Sequence, residues 1–148
     1  YTPIAGTVPN GFLARPIYYG MLLFAEAGPG YLIDAHIDDS QQSPLLTAYG
    51  LVNEPAEAGD AVKAVIFNKD ADRAVHLTVA GGGAATQARA LRLIAPRLDD
   101  ATDVTLGMNP VGMSGAWNAE HEESLPVHDG AATLELPPGS AALVSFRS

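Results

Sequence analysis

Glu120, Glu122 and Glu123 crowd around His121, and the chemistry that paired acids support is the first thing to weigh in this 148-residue sequence. Two carboxylates on either side of a glycosidic bond can protonate the leaving oxygen and attack the sugar or activate water. Carboxylates with histidine can also hold a metal, but no second ligand cluster of recognisable spacing accompanies these. A solvated acidic loop is the reading they favour. Asp38-Asp39 and Asp99-Asp100 fall in turns, where Asp bonds nearby backbone N–H groups. His36 and His76 fall on outward strand positions, and His128 precedes an Asp129-Gly130 turn; no nucleophile elbow supplies a serine to any of them. Gly81-Gly82-Gly83 has no Lys-Ser or Lys-Thr after it and opens no helix, so it reads as a hairpin loop and not a phosphate loop.

The aromatic residues offer a different chemistry. Tyr18, Tyr19, Tyr31 and Trp117 could stack on sugar rings, whose C–H faces suit an apolar platform. Tyr18 and Tyr19 fit packing better, because they lie in a helix that is apolar on every side. Trp117 stands among Gly112, Gly115 and Asn118 in a loop-like setting, where it can anchor the loop or, with Tyr31 or Tyr49, face a glycan. No complete active site emerges: neither a catalytic residue nor a metal ligand can be assigned, and no cofactor is implied.

Composition narrows the partners. Apolar residues make up 47% and charged ones 17%, which is a globular composition. A formal charge of -9, with eight scattered Lys and Arg, argues against nucleic acid. The absence of cysteine removes disulfides and thiolate metal sites. The apolar run 17–25 is too short for a bilayer, which takes about 20 residues, so no membrane is implied. The sequence opens at Tyr1 with neither Met nor a signal peptide, as an internal or processed segment would.

Residues 16–27 must position whatever lies upstream of them. Pro16 suits a first helical turn and Gly28 a helix end. Between them only Glu26 is charged. Ile17, Met21 and Phe24 form one stripe, Tyr18, Leu22 and Ala25 the next, and Tyr19 and Leu23 continue round the helix. A surface helix would show a polar face here. This one needs neighbours on two sides, and the strands after it can supply one.

Residues 1–13, punctuated by Pro3, Gly6, Pro9 and Gly11, read as a loop. After the helix the period changes from about 3.6 to 2. Strands are expected over 31–37, 45–52, 61–68, 75–79, 87–94 and 104–106, then around 132–136 and 142–146. Residues 69–73 read as a hairpin-like connection. Leu91 and Leu93 are placed inward and Arg92 outward. In the irregular stretch 95–125, Trp117 is the expected anchor. The architecture predicted is mainly β: an antiparallel β-sandwich of about seven or eight strands preceded by one buried N-terminal helix.

The order of these features resembles the C-terminal region of the heparanase and β-glucuronidase family of glycoside hydrolases. The matching pieces are Tyr1-Thr2-Pro3-Ile4, Ala14-Arg15-Pro16-Ile17-Tyr18-Tyr19-Gly20-Met21-Leu22-Leu23-Phe24 and Lys63-Ala64-Val65-Ile66-Phe67-Asn68-Lys69-Asp70. The closing Leu136-Pro137-Pro138-Gly139-Ser140-Ala141-Ala142-Leu143-Val144-Ser145-Phe146 completes them. The resemblance implies that 1–28 are the loop and last helix of a (β/α)₈ barrel and that 29–148 are the β-sandwich domain. Active sites of such barrels lie at the C-terminal ends of the strands. By resemblance, Tyr1 would contact a uronic acid there. Both catalytic glutamates would lie on earlier barrel strands, so Glu54, Glu57 and Glu122 are not given those roles. The implied parent is a retaining β-glucuronidase-type enzyme, secreted or periplasmic. This chain alone would be inactive, and its partners would be the barrel and, through the parent, a uronic-acid-containing glycan. A free-standing carbohydrate-binding module is the alternative, and a purely structural domain is compatible with the first reading.

Overall fold

The computed structural model describes residues 2–38, 45–53 and 62–148. Tyr1, Asp39, Glu54 and Glu57 lie outside the described residues.

The segment before the helix is a hairpin and not the expected loop. β1 (Ile4–Thr7) pairs antiparallel with β2 (Gly11–Ala14) around a 3-10 turn at Val8–Asn10. Gly6 makes this possible. Its φ is +124°, and a Cβ there would overlap the Gly11 carbonyl oxygen. The glycines that read as loop punctuation are what allow the two strands to approach.

Helix α1 (Pro16–Ala27) starts at proline and ends at Gly28, whose φ is +76° and whose N–H donates to the Ala25 carbonyl at 3.0 Å. The Lys63 ammonium donates to the Ala27 carbonyl at 3.0 Å, placing positive charge at the negative end of the helix dipole. Tyr19, Leu23 and Ala27 are buried along one side. The other side, Ile17, Met21 and Phe24, is exposed. The helix is therefore buried on one face only within this chain.

The remaining strands are β3 (Tyr31–Ile33), β4 (Leu46–Val52), β5 (Val62–Asn68), β6 (Val75–Ala80), β7 (Gln87–Ile94) and β8 (Thr105–Leu106). Then come β9 (Glu123–Leu125), β10 (Val127–His128), β11 (Ala131–Leu136) and β12 (Ser140–Arg147). A seven-stranded sheet has the order β3-β4-β5-β12-β7-β8, with β9 also pairing β7. A three-stranded sheet has the order β10-β11-β6 and packs against it. Every pairing among the described residues is antiparallel. This is the predicted β-sandwich, with a helix on the outer face of its larger sheet.

Two apolar layers hold it together. Tyr19 and Leu23 of α1 meet Leu51, Val65, Leu91, Leu106 and Leu143 on the outer face of the large sheet. Ile66, Ala90, Val144 and Phe146 meet Leu134 and Leu136 between the sheets. β12 serves both, with Ala141 and Leu143 toward the helix and Ala142, Val144 and Phe146 toward the small sheet.

Three local expectations are corrected. The strand expected over 31–37 stops at Ile33, where its ladder with β4 ends at the Ile33–Gly50 pair; residues 34–38 lie outside the ladder and line a cleft that β6 also lines. The connection at 69–73 is not a hairpin turn, since β5 and β6 belong to different sheets. Asn68 and Asp70 tie it down through their side chains. Arg92 is not outward: it shares the inter-sheet face of β7 with Ala88 and Ala90, at the edge, and donates to the Glu135 carbonyl of β11 at 2.6 Å.

Candidate functional site

Three places in the fold gather the residue types that the sequence singled out. The first is the outer face of α1. Gly20 leaves a notch there, flanked by Ile17, Met21 and Phe24 on the helix and Phe67 on β5. A Cβ at Gly20 would meet nothing within 4 Å. Tyr49 extends this surface along the sheet, its ring edge-on to Phe67 at 6.3 Å and 82°. Phe24 is 69% exposed, Met21 59% and Ile17 53%. Several large apolar side chains on one face are unusual for a monomer surface and mark a contact site.

The second is the loop 107–118. Trp117 is half-buried against the helix-side core, and its Nε1–H donates to the Leu106 carbonyl at 3.0 Å and the Asn109 carbonyl at 3.2 Å. It anchors the loop onto β8, so its polar edge is committed inside the protein. Asn109 Nδ2 donates to the Asn118 carbonyl at 2.8 Å and closes the loop base. The Val111 N–H donates to the Tyr19 hydroxyl at 2.9 Å, which locks the loop to α1. The tyrosine that fits helix packing thus also holds a distant loop, a role no periodicity could reveal. Tyr31 is on β3 at the opposite side of the sheet order from β8 and is exposed, so it does not join Trp117 in one platform. Tyr49 lies on β4 in the first patch.

The third is the acidic cluster. Glu123 begins β9 and accepts from Arg92 Nε at 2.6 Å; Glu122 accepts from Arg89 at 3.2 Å. Glu120, His121 and Glu122 are exposed, as in the solvated acidic loop expected, while Glu123 is half-buried; Glu122 and Glu123 both face guanidinium groups of β7. Among the described residues, no three His, Asp or Glu side chains form a group that could hold a metal ion. His76 faces Glu135 at 3.6 Å on the exposed side of the small sheet. A cleft of about 670 Å³ opens beside β6, with Asp34, His36, Asp38 and His76 among its polar lining. No Phe, Tyr or Trp is among the described residues that line it, so it lacks a stacking surface. No helix of the described residues is long and apolar enough to cross a membrane.

No protein-family model matches the sequence, and no curated protein matches it. Solved structures do. The chain is similar to part of an arabinofuranosidase, with a TM-score of 0.66 and 16% identity over 98% of its length. It is similar to part of a 4-O-α-L-rhamnosyl-β-D-glucuronidase from Fusarium oxysporum 12S, with a TM-score of 0.58 and 21% identity over 86% of its length. A thermostable GH51 α-L-arabinofuranosidase from Thermotoga petrophila RKU-1 matches with a TM-score of 0.62 and 15% identity over 93%. The chain spans 31%, 28% and 30% of those three proteins. At such identities the likeness is one of fold. A β-sandwich carrying this helix recurs as a minor part of larger glycoside hydrolase chains.

Proposed function

We propose that this chain is the accessory β-sandwich of a retaining glycoside hydrolase of the β-glucuronidase and heparanase type, together with the last helix of its catalytic barrel. The observation that carries this reading is the outer face of α1, apolar and exposed along Ile17, Met21 and Phe24 while the inner face is fully occupied. The shared fold supports it, because the sandwich accounts for less than a third of each glycoside hydrolase it is similar to. In this reading 1–28 belong to the barrel side and 29–148 to the sandwich. The parent enzyme is secreted or periplasmic, and its two catalytic glutamates lie upstream. One attacks the anomeric carbon; the other protonates the leaving oxygen and later activates water. Tyr1 contacts the uronic acid, and the sandwich holds the barrel in shape. The glucuronide specificity rests on the sequence resemblance.

Docking through α1 has a testable magnitude. A phenylalanine hides about 200 Å² when buried. Phe24, 69% exposed, therefore has on the order of 140 Å² left to bury, worth roughly 3.5 kcal/mol at about 25 cal/mol per Å². Phe24→Asp in the full-length protein should lower its melting temperature and its turnover of 4-nitrophenyl β-D-glucuronide. In the 148-residue chain alone the same change should cost less than about 1 kcal/mol, the effect of a carboxylate in the last turn against the helix dipole. The wild-type chain alone should release no nitrophenol. Turnover by the rigorously purified chain, or an equally small effect of Phe24→Asp in both proteins, would refute the proposal.

A further inference from the structure

The small sheet has three strands against the seven of the large one, and it covers only part of their inter-sheet face. Ile66 of β5, Ala90 of β7 and Val144 and Phe146 of β12 are buried in the layer between them. Farther along, Leu46 and Ala48 of β4 and Ala64 of β5 are only half-buried, as are Leu77 and Val79 of β6. All five line the cleft beside β6, and Ile33 of β3 lines it beyond them. The apolar layer is thus complete on one side and open on the other.

On that open side β6 is the edge strand of the small sheet. The Gly81 N–H donates to the Gly130 carbonyl at 2.9 Å, which sets the phase of the ladder with β11. Val75, Leu77 and Val79 therefore bond β11, and the N–H and C=O groups of His76, Thr78 and Ala80 point the other way. Among the described residues no strand pairs with them. Exposed edges are ordinarily guarded by lysine, proline or a bulge. β6 has neither lysine nor proline, and its six pairs with β11 run without a bulge. An unguarded edge over an apolar floor is one that the native protein covers.

The groups offered there are backbone donors and acceptors, so what covers them is extended polypeptide. A second copy presenting its own β6 is excluded by shape: it would bring its own large sheet beneath that strand, where β4 of the first copy already lies. What fits is a single segment with no layer under it. A segment of the same polypeptide is always present and acts at high effective concentration. The glycoside hydrolases similar to this chain hold about 70% of their length outside the matched part, since the chain spans 31%, 28% and 30% of them.

We infer that a strand from outside residues 1–148 of the same protein pairs with β6 as a fourth strand of the small sheet and fills the cleft with its alternate side chains. The inference rests on the proposed function only in taking this chain as part of a larger polypeptide. About six residues, some 20 Å of strand, match the length of β6. Ala48 and Ala64 leave depth in the floor, and Ile33 closes its far side by packing over Gly50. The inward positions of the strand therefore carry bulky apolar residues. Its outward positions are basic or neutral, because Asp34 and Asp38 line the cleft and the chain as a whole is acidic. The sandwich is then held to the rest of the enzyme twice, through α1 on its outer face and through this strand between its sheets.

The test uses the full-length protein and two readouts. Hydrogen exchange resolved to single residues compares the amides of His76, Thr78 and Ala80 with those of Leu77 and Val79, whose bonds to β11 make them an internal standard. The edge amides should exchange within about tenfold of that standard. Exchange more than about a hundredfold faster overturns the inference. The photo-cross-linking residue p-benzoylphenylalanine, placed at Thr78, should join β6 to a peptide from outside residues 1–148, with the product at monomer mass. A link to a peptide within 1–148, a product of dimer mass or no link at all overturns it. Protected edge amides in a protein that leaves 4-nitrophenyl β-D-glucuronide intact would uphold the strand and refute the glucuronidase reading. Rapid edge exchange in a protein that turns the glucuronide over would do the reverse.

Discussion

Asn68 is 2% exposed and stands where β5 of the large sheet hands the chain to the small one. Its Nδ2 donates to the carbonyls of Arg73 at 2.8 Å, Leu136 at 3.2 Å and Pro137 at 3.0 Å, while Oδ1 accepts from the Asp70 N–H at 3.1 Å. Asn68→Ala removes all four. The Pro137 carbonyl keeps the Ser140 hydroxyl at 2.7 Å, and Arg73 is exposed enough for water. The Leu136 carbonyl keeps its ladder bond to β6, because Leu136 and Val75 form a hydrogen-bonded pair. The Asp70 N–H is left unpaired in the interior, at about 1–3 kcal/mol. At roughly 3 °C per kcal/mol for a chain of this size, a loss of about 2 kcal/mol should lower the melting temperature by about 6 °C. Asn68→Asp sharpens the argument. One carboxylate oxygen still accepts from Asp70, but the other now faces three carbonyl oxygens where a donor belonged. At pH 7 the Asp variant should therefore melt below the Ala variant. It should recover relative to Ala as the pH falls, because its protonated form regains an O–H donor. Thermal melts followed by circular dichroism at pH 7 and pH 5 measure both effects. An Asp variant as stable as Asn at pH 7 would show that the amide is oriented the other way and that the corner is held by something else.

Two further outcomes follow from neighbouring geometry. The Asp70 carboxyl is held below the usual carboxylate range, first by the Asp72 N–H, against the opposing effect of burial and with help from the Arg73 side chain and N–H. Its stabilisation is complete above the ordinary value near 4 and is lost as pH falls through the lower folded value. Wild type and Asp70→Asn should therefore differ most in melting temperature at neutral pH and converge toward pH 2; a constant gap would refute the assignment. Gly81→Ala would drive a methyl into the Phe146 ring, which is 1% exposed and fills the inter-sheet core. Overpacking of this kind costs about 1–3 kcal/mol, and an unchanged denaturant midpoint would show that the ring yields freely.

Much of the sandwich was legible because its strands alternate. β6 and β11 each present one face to the core, and their period of 2 is plain in Val75, Leu77 and Val79 and in Ala132, Leu134 and Leu136. The Asp129-Gly130 turn was legible too, since both residues take positive φ, 51° and 74°, as a two-residue hairpin loop requires. β12 was legible as a strand but not as a central one. Ala141-Ala142-Leu143-Val144 is apolar without a break, and alternation alone assigns it one buried face when it has two. The hairpin before α1 was hidden by the glycines that enable it. β9 and β10 are too short for any period to show. At the candidate site, the apolar helix was apparent from composition, whereas the Tyr19–Val111 bond joins residues 92 positions apart and leaves no local trace. Trp117 read correctly as an anchor, because a tryptophan among glycines has few other ways to be held.

The central place of β12 has a consequence for how the molecule comes into being. It is the last strand in chain order, yet it lies between β5 and β7 and pairs along its length with both. Until it is made, those two strands present open edges, and neither apolar layer can close. A nascent chain leaving the ribosome would carry both edges unmatched while nearly the whole sandwich was already outside. Partnerships this remote in sequence make for slow folding and for a window in which strands of separate chains can pair. The protein should accordingly lean on holding chaperones during synthesis, and trimming a few residues from β12 should cost soluble yield far more than trimming the β1–β2 hairpin.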